Sequence, residues 1–222
     1  MKLLNFSKIL IILYFINLVL YSLFSLLDNE ESSKYFWFAR IPILAVLYFI
    51  SSKEKKLIYF AGLLFYQLAS VFFFTGNPNY FLFGTLSSVL FKVCLVLLIF
   101  TLVTVKNRTA IGLAILPFFV LYLYVIELVV DSLGDTYYIW IINALLTSFI
   151  GGVAIVYYLN DSDEKGAWLL ISAILFIVQI AAFFINKFYV KNEGIYQMII
   201  LSYGISHFTF YKFLILKENE LF

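Results

Sequence analysis

The feature that most limits what this chain can fold into is the regular return of apolar blocks about twenty residues long, separated by connectors too short to form anything of their own. At about 1.5 Å rise per residue, such a block crosses a hydrocarbon core of about 30 Å. Breaking the sequence at its charged and Gly/Pro/Asn clusters predicts eight spans, near 9–27, 36–50, 57–75, 80–105, 110–130, 136–158, 166–186 and 195–216. The connectors DNEESSK, SSKEKK, GNPN, KNR, DSLGD, NDSDEK and NKFYVKNEG leave no room for a soluble domain. Strands of a membrane barrel would be half as long and would alternate polar with apolar. The expected fold is therefore an all-α, polytopic integral membrane bundle of about eight transmembrane helices, one transmembrane domain over 1–222. Composition agrees: with 64% of 222 residues hydrophobic and only 13% charged, the apolar surface exceeds what one soluble core can hide.

Basic residues in short loops set the expected orientation. Lys2, Lys8, Lys53, Lys55, Lys56, Lys106, Arg108, Lys165 and Lys217 fall on one side and Lys34, Lys187 and Lys191 on the other, which predicts both termini in the cytoplasm. Trp37 and Trp140 would then lie at the outer interface and Trp168 at the inner one. No small-residue cleavage site follows Leu27, so the first span reads as a retained helix. The single cysteine, Cys94, excludes an internal disulfide and argues against a thiolate metal site. The net charge of +2 carries no basic patch for nucleic acid, and nothing in the sequence asks for a cofactor or metal.

The polar residues inside the spans are the remaining signal, because a charge at the bilayer centre is seldom kept without a partner or a wet cavity. Lys92 sits in the middle of the run TLSSVLFKVCLVLLIF. Helical spacing puts Gly84, Ser88 and Lys92 on one face of the fourth span, Gly62, Tyr66 and Ser70 on one face of the third, Asn143, Thr147 and Gly151 on the sixth, and Tyr203, His207 and Tyr211 on the eighth. Tyr124, Glu127 and Asp131 line one side of the fifth, and Gln179 and Asn186 are seven apart on the seventh. If these stripes turn inward they enclose a polar pocket; if each meets its own neighbour they are packing contacts and interhelical hydrogen bonds. On the first alternative, Lys92, Glu127 and His207 are the candidate catalytic groups. Arg40, Gln67, Ser70, Ser88, Asn143, Gln179 and Tyr203 are the candidate ligand-binding residues. By depth Arg40 is expected to pair with Glu127, and His207 to neighbour Lys92. No phosphate loop, H-E-x-x-H or G-x-S-x-G motif is present. A weak match between AGLLFYQLASVFFF (61–74) and SAILFIVQIAAFFI (172–185) hints at a parallel four-plus-four duplication.

Those two segments, with RIP at Arg40 to Pro42 and FLFGTLSSVLFK at Phe81 to Lys92, give the chain from Arg40 onward a resemblance to the YhhN family, eight-helix membrane proteins whose characterised members are lysoplasmalogenases. The resemblance implies a pocket for a membrane lipid or lysolipid and a setting in a bacterial inner membrane. It also implies a gap in the chemistry. Ser70 and Ile180 stand where the family has aspartates, and Lys92 where it has a histidine. Vinyl ether hydrolysis needs a positioned acid and base, so catalysis is expected to be altered or lost unless Lys92, Glu127 or His207 substitutes.

Overall fold

The computed structural model describes residues 2–75, 77–103 and 108–220; Lys106 and parts of the GNPN and KNR connectors lie outside the described residues. The chain forms eight long helices: α1 (Lys2–Leu26), α2 (Glu30–Ser51), α3 (Leu57–Phe74), α4 (Pro78–Leu102), α5 (Arg108–Glu127), α6 (Tyr137–Asp161), α7 (Glu164–Phe184) and α8 (Glu193–Glu220). All eight are long and apolar enough to cross a membrane. Large apolar side chains such as Ile12, Phe49, Leu64, Leu97, Leu113 and Val120 remain exposed on the outside of the bundle, where a soluble protein would carry charge. The protein is a multi-pass integral membrane protein.

The helix ends differ from the expectation in ways that matter below. α2 starts at Glu30 rather than near 36, because the Asn29 side chain caps it by accepting from the Ser32 N–H at 3.1 Å and the polar EESSK segment extends it past the apolar run. Arg40 therefore lies about 15 Å along the helix from Glu30. α5 stops at Glu127; a single helical turn (Val130–Leu133) and a 3-10 turn (Gly134–Thr136) lead into α6, with Gly134 at φ +48°, where a side chain would be strained. Beyond α7 the chain continues as a π-helical stretch, Ile185–Tyr189, so part of the predicted last connector is helical.

Sequential helices pair as antiparallel neighbours: α1 with α2, α3 with α4, α5 with α6, and α7 with α8. α6 also packs on α4 and α7, and α1 closes on α8. The α5–α6 approach depends on a missing side chain. A Cβ on Gly152 would stand 2.7 Å from Ile115 Cγ1, 3.0 Å from the Ile115 backbone N and 3.2 Å from the Ile111 carbonyl oxygen. Small residues permit such close backbone contact between membrane helices. Gly152→Val is expected to cost about 1–3 kcal/mol of stability by overpacking. Gly112→Ala on α5, whose added methyl meets nothing within 4 Å, leaves stability unchanged or slightly raised. Thermal unfolding of the two variants in detergent checks the contrast.

At the end of the bundle where α2 and α8 finish, a buried carboxylate joins them. The Tyr48 hydroxyl and the Ser52 hydroxyl each donate to Glu218, at 2.6 Å to Oε1 and 2.6 Å to Oε2. The same two hydroxyls accept from the backbone N–H of Lys56 (3.1 Å) and Lys55 (2.8 Å), so the α2–α3 turn is threaded onto α8 through Glu218.

Candidate functional site, an intramembrane cavity with two cations

Toward the opposite end, where α1 and α3 finish and α2 and α4 begin, the helices part around a cavity of about 280 Å³. Every long helix except α5 contributes to its wall. The polar lining comes from Arg40, Ser70, Ser88, Lys92, Gln179 and Tyr203, and the apolar lining from Phe73, Phe74, Trp140, Ile180, Phe183 and Ile199 among others. None of the lining residues is acidic.

Both cations are buried, each only 2% exposed. The Lys92 ammonium lies over the Phe176 ring at 3.8 Å from its centroid and 5.1 Å from that of Phe91. The Arg40 guanidinium lies 4.6 Å from the Tyr203 centroid and 5.7 Å from that of Tyr21. Among the described residues neither has a carboxylate within ion-pair distance, and the Arg40 Nε–H has no acceptor. Placing one such charge at the bilayer centre costs about 2.5–3.5 kcal/mol on insertion scales. Contact with aromatic faces returns about 0.5–2 kcal/mol of this. The ammonium is thus sheltered inside the bundle as the sequence indicated, but by rings and open space rather than by hydrogen bonds from other helices.

Three further lining residues bury polar atoms without partners: the Tyr66 hydroxyl, Trp140 Nε1 and Gln179 Oε1. The floor is a packed set of rings. His207 does not line the cavity; its ring lies 3.8 Å from the Tyr66 centroid and 5.2 and 5.3 Å from those of Phe91 and Phe176, with Nε2 unpartnered. It neighbours Lys92 through those shared rings.

No family model, curated protein or solved structure matches the chain.

Six of the sequence candidates meet at the cavity: Arg40, Ser70, Ser88, Lys92, Gln179 and Tyr203. Others do not. Glu127 is exposed at the last residue of α5 and, among the described residues, accepts only from the Tyr137 hydroxyl at 3.4 Å, so the expected Arg40–Glu127 pair does not form. Arg40 is buried at the cavity, whereas α5, at whose end Glu127 lies exposed, contributes nothing to the cavity wall. Tyr124 and Asp131 also face outward, the latter because α5 has already ended before it. Gln67 is half-buried beside the cavity and reaches the Phe38 carbonyl at 3.5 Å. Asn143 is buried one layer behind the wall, donating to the Ser88 hydroxyl at 2.9 Å, while the Thr147 hydroxyl donates back to the Asn143 carbonyl at 2.8 Å. That stripe is interhelical packing. Asn186, in the π-helical stretch, accepts from the Asn192 N–H at 2.9 Å and orders the turn before α8.

Trp140 is a correction of another kind. It is 1% exposed, packed against Phe73, Phe81, Phe183 and Phe184, and so belongs to the interior rather than to an interfacial belt. With Trp37, which stacks on Phe74 at 4.9 Å, it forms part of the cavity wall. No group of three His, Cys, Asp or Glu side chains suited to a metal ion occurs among the described residues.

Proposed function

We propose that this protein is an intramembrane binder of a lipid-like ligand, a relative of the YhhN proteins that has kept their pocket and lost their hydrolytic apparatus. The observation that carries the reading is convergence. Ser70, Lys92 and Ile180, the positions that correspond to acidic and histidine residues in the family resemblance, lie on three different helices yet line one cavity. In that cavity no carboxylate is present to protonate an enol ether or activate water. Glu127 is too far out to serve, and His207 is sealed beneath rings. The apolar and aromatic walls suit an acyl or alkyl chain. The pairing of α3 with α4 and of α7 with α8 supports the four-plus-four duplication as part of the same reading. The loop charges support a cytoplasmic location for both termini, and the family resemblance supports a bacterial inner membrane.

The test is to incubate the purified protein with lysoplasmalogen and with lysophospholipid and to measure aldehyde and fatty acid release beside emission from Trp37 and Trp140. The expected result is a change in tryptophan emission with no product above an empty-membrane control. Product release that disappears in Lys92→Ala or His207→Ala would replace this reading with an enzymatic one.

A further inference from the structure

The geometry points to a single-chain amphiphile with an anionic head group as the ligand of this cavity, the head seated between Arg40 and Lys92. The inference rests on the ligand-pocket reading and adds the charge that the occupant must carry.

Charge is the first ground. The wall holds two buried cations and no acid, and neither cation is ion-paired to any described residue. The way each is held is the second. Ring faces support Arg40 through Tyr203 and Tyr21, and Lys92 through Phe176 and Phe91, but a ring face does not replace the acceptors that the N–H groups of a guanidinium or ammonium require. Arg40 Nε–H is such a donor left over, and a carboxylate or phosphate oxygen is the acceptor that fits a guanidinium fork. Among the lining residues the neutral groups without partners add the Trp140 N–H donor and the Tyr66 hydroxyl, against one amide acceptor on Gln179. A site rich in buried donors is built for an acceptor.

The aromatic wall does not reverse this preference. Rings can cage a quaternary ammonium. Here the rings nearest the cations already hold the protein's own Lys92 and Arg40, and a positive head group would meet both at short range. Phe73, Phe74, Ile180, Phe183, Ile199 and Ile200 provide the apolar length that a small inorganic anion would leave uncovered. An adjoining depression shares Phe183, Tyr196 and Ile199 with the cavity and carries Lys187 and Lys191 against a single acid, Glu193. The surplus of positive charge thus continues into the adjoining depression, as suits attraction of an anionic head group.

A fatty carboxylate and a lysolipid phosphate monoester share this chemistry, and the experiment separates them. The full chain, in an uncharged maltoside and with Trp168→Phe to remove emission from outside the cavity, is titrated with dodecanoate, dodecyl phosphate, dodecylphosphocholine and dodecyltrimethylammonium, and with inorganic phosphate and chloride. Tryptophan emission and melting temperature are read. At least one of the two anionic amphiphiles is expected to bind about tenfold or more tightly than the zwitterion and the cation, and the stronger of the two identifies the head group. Arg40→Gln and Lys92→Gln should each weaken that binding about ten- to a hundredfold, as loss of a charge-assisted hydrogen bond does. Equal affinity for all four head groups, or anion binding untouched by both substitutions, overturns the inference. So does inorganic phosphate or chloride binding as tightly as the alkyl anions. If a variant fails to fold, the head-group series on the unsubstituted chain decides alone. Failure of every amphiphile to bind would sink the pocket reading itself, whereas binding without charge preference would sink only this inference.

Discussion

Glu218→Ala is expected to lower the unfolding free energy by about 2–4 kcal/mol, among the largest effects of any single substitution away from the cavity. Two hydrogen bonds to a charged acceptor, each worth about 1.5–3 kcal/mol, are lost, and the loss is reduced because the freed hydroxyls keep their backbone N–H partners. Tyr48 and Ser52 would lose their common acceptor in a place where water cannot replace it, since Glu218 is 1% exposed. Glu218→Gln keeps one good acceptor oxygen but adds an NH2 group with no evident partner, so it should fall between alanine and the native protein. Circular dichroism melts in detergent give the order: native highest, glutamine next, alanine lowest. A native-like melt for the alanine variant would mean that the carboxylate does not join α2 to α8. Because this end of the bundle lies opposite the cavity, ligand titrations below the melting temperature should be nearly unchanged.

Lys92→Met has the opposite sign. Methionine has nearly the same length, carries no charge and makes favourable sulfur–aromatic contacts with rings such as Phe176. Removing a buried, unpaired ammonium recovers most of its insertion cost, less the cation–π contact, and leaves a net gain of about 1–2 kcal/mol. The variant is expected to melt higher while losing affinity for the cavity's ligand, a gain in stability at the expense of function. A lower melting temperature would show that Lys92 stabilises the fold through groups other than Phe91 and Phe176. The two buried cations would then no longer need a ligand to explain them.

Much of this was legible in the sequence for a simple reason: within an apolar span of twenty residues, a lysine, glutamine or serine stands out. The eight spans, and Arg40, Ser70, Ser88, Lys92 and Gln179 at the cavity, stand out by that contrast, and Tyr203 by its spacing from His207. Where contrast failed, so did the reading. With 26 Phe and 17 Tyr in the chain, nothing marked Phe176 or Tyr21 as the rings that hold a cation. Asn143 and Ser70 obey the same four-residue spacing, yet one binds a neighbouring helix and the other lines the cavity; periodicity gives a face and not what lies across from it. The Arg40–Glu127 pair rested on matching positions along two spans, and position along a span does not say which helices face each other: α5 stands outside the wall in which Arg40 is buried. Glu218 lay in KENE, which reads as a solvated tail; its partners are about 170 residues away in sequence.

The ring floor governs what kind of traffic the cavity can support. Tyr66, Phe91, Phe176 and His207 close it from below, and buried aromatic packing through Tyr59, Phe210 and Phe213 continues beneath them. The ligand proposed for the cavity would meet close-packed rings on that side rather than open space. On the proposed function, this packing suits holding a lipid-like molecule rather than carrying it across the bilayer.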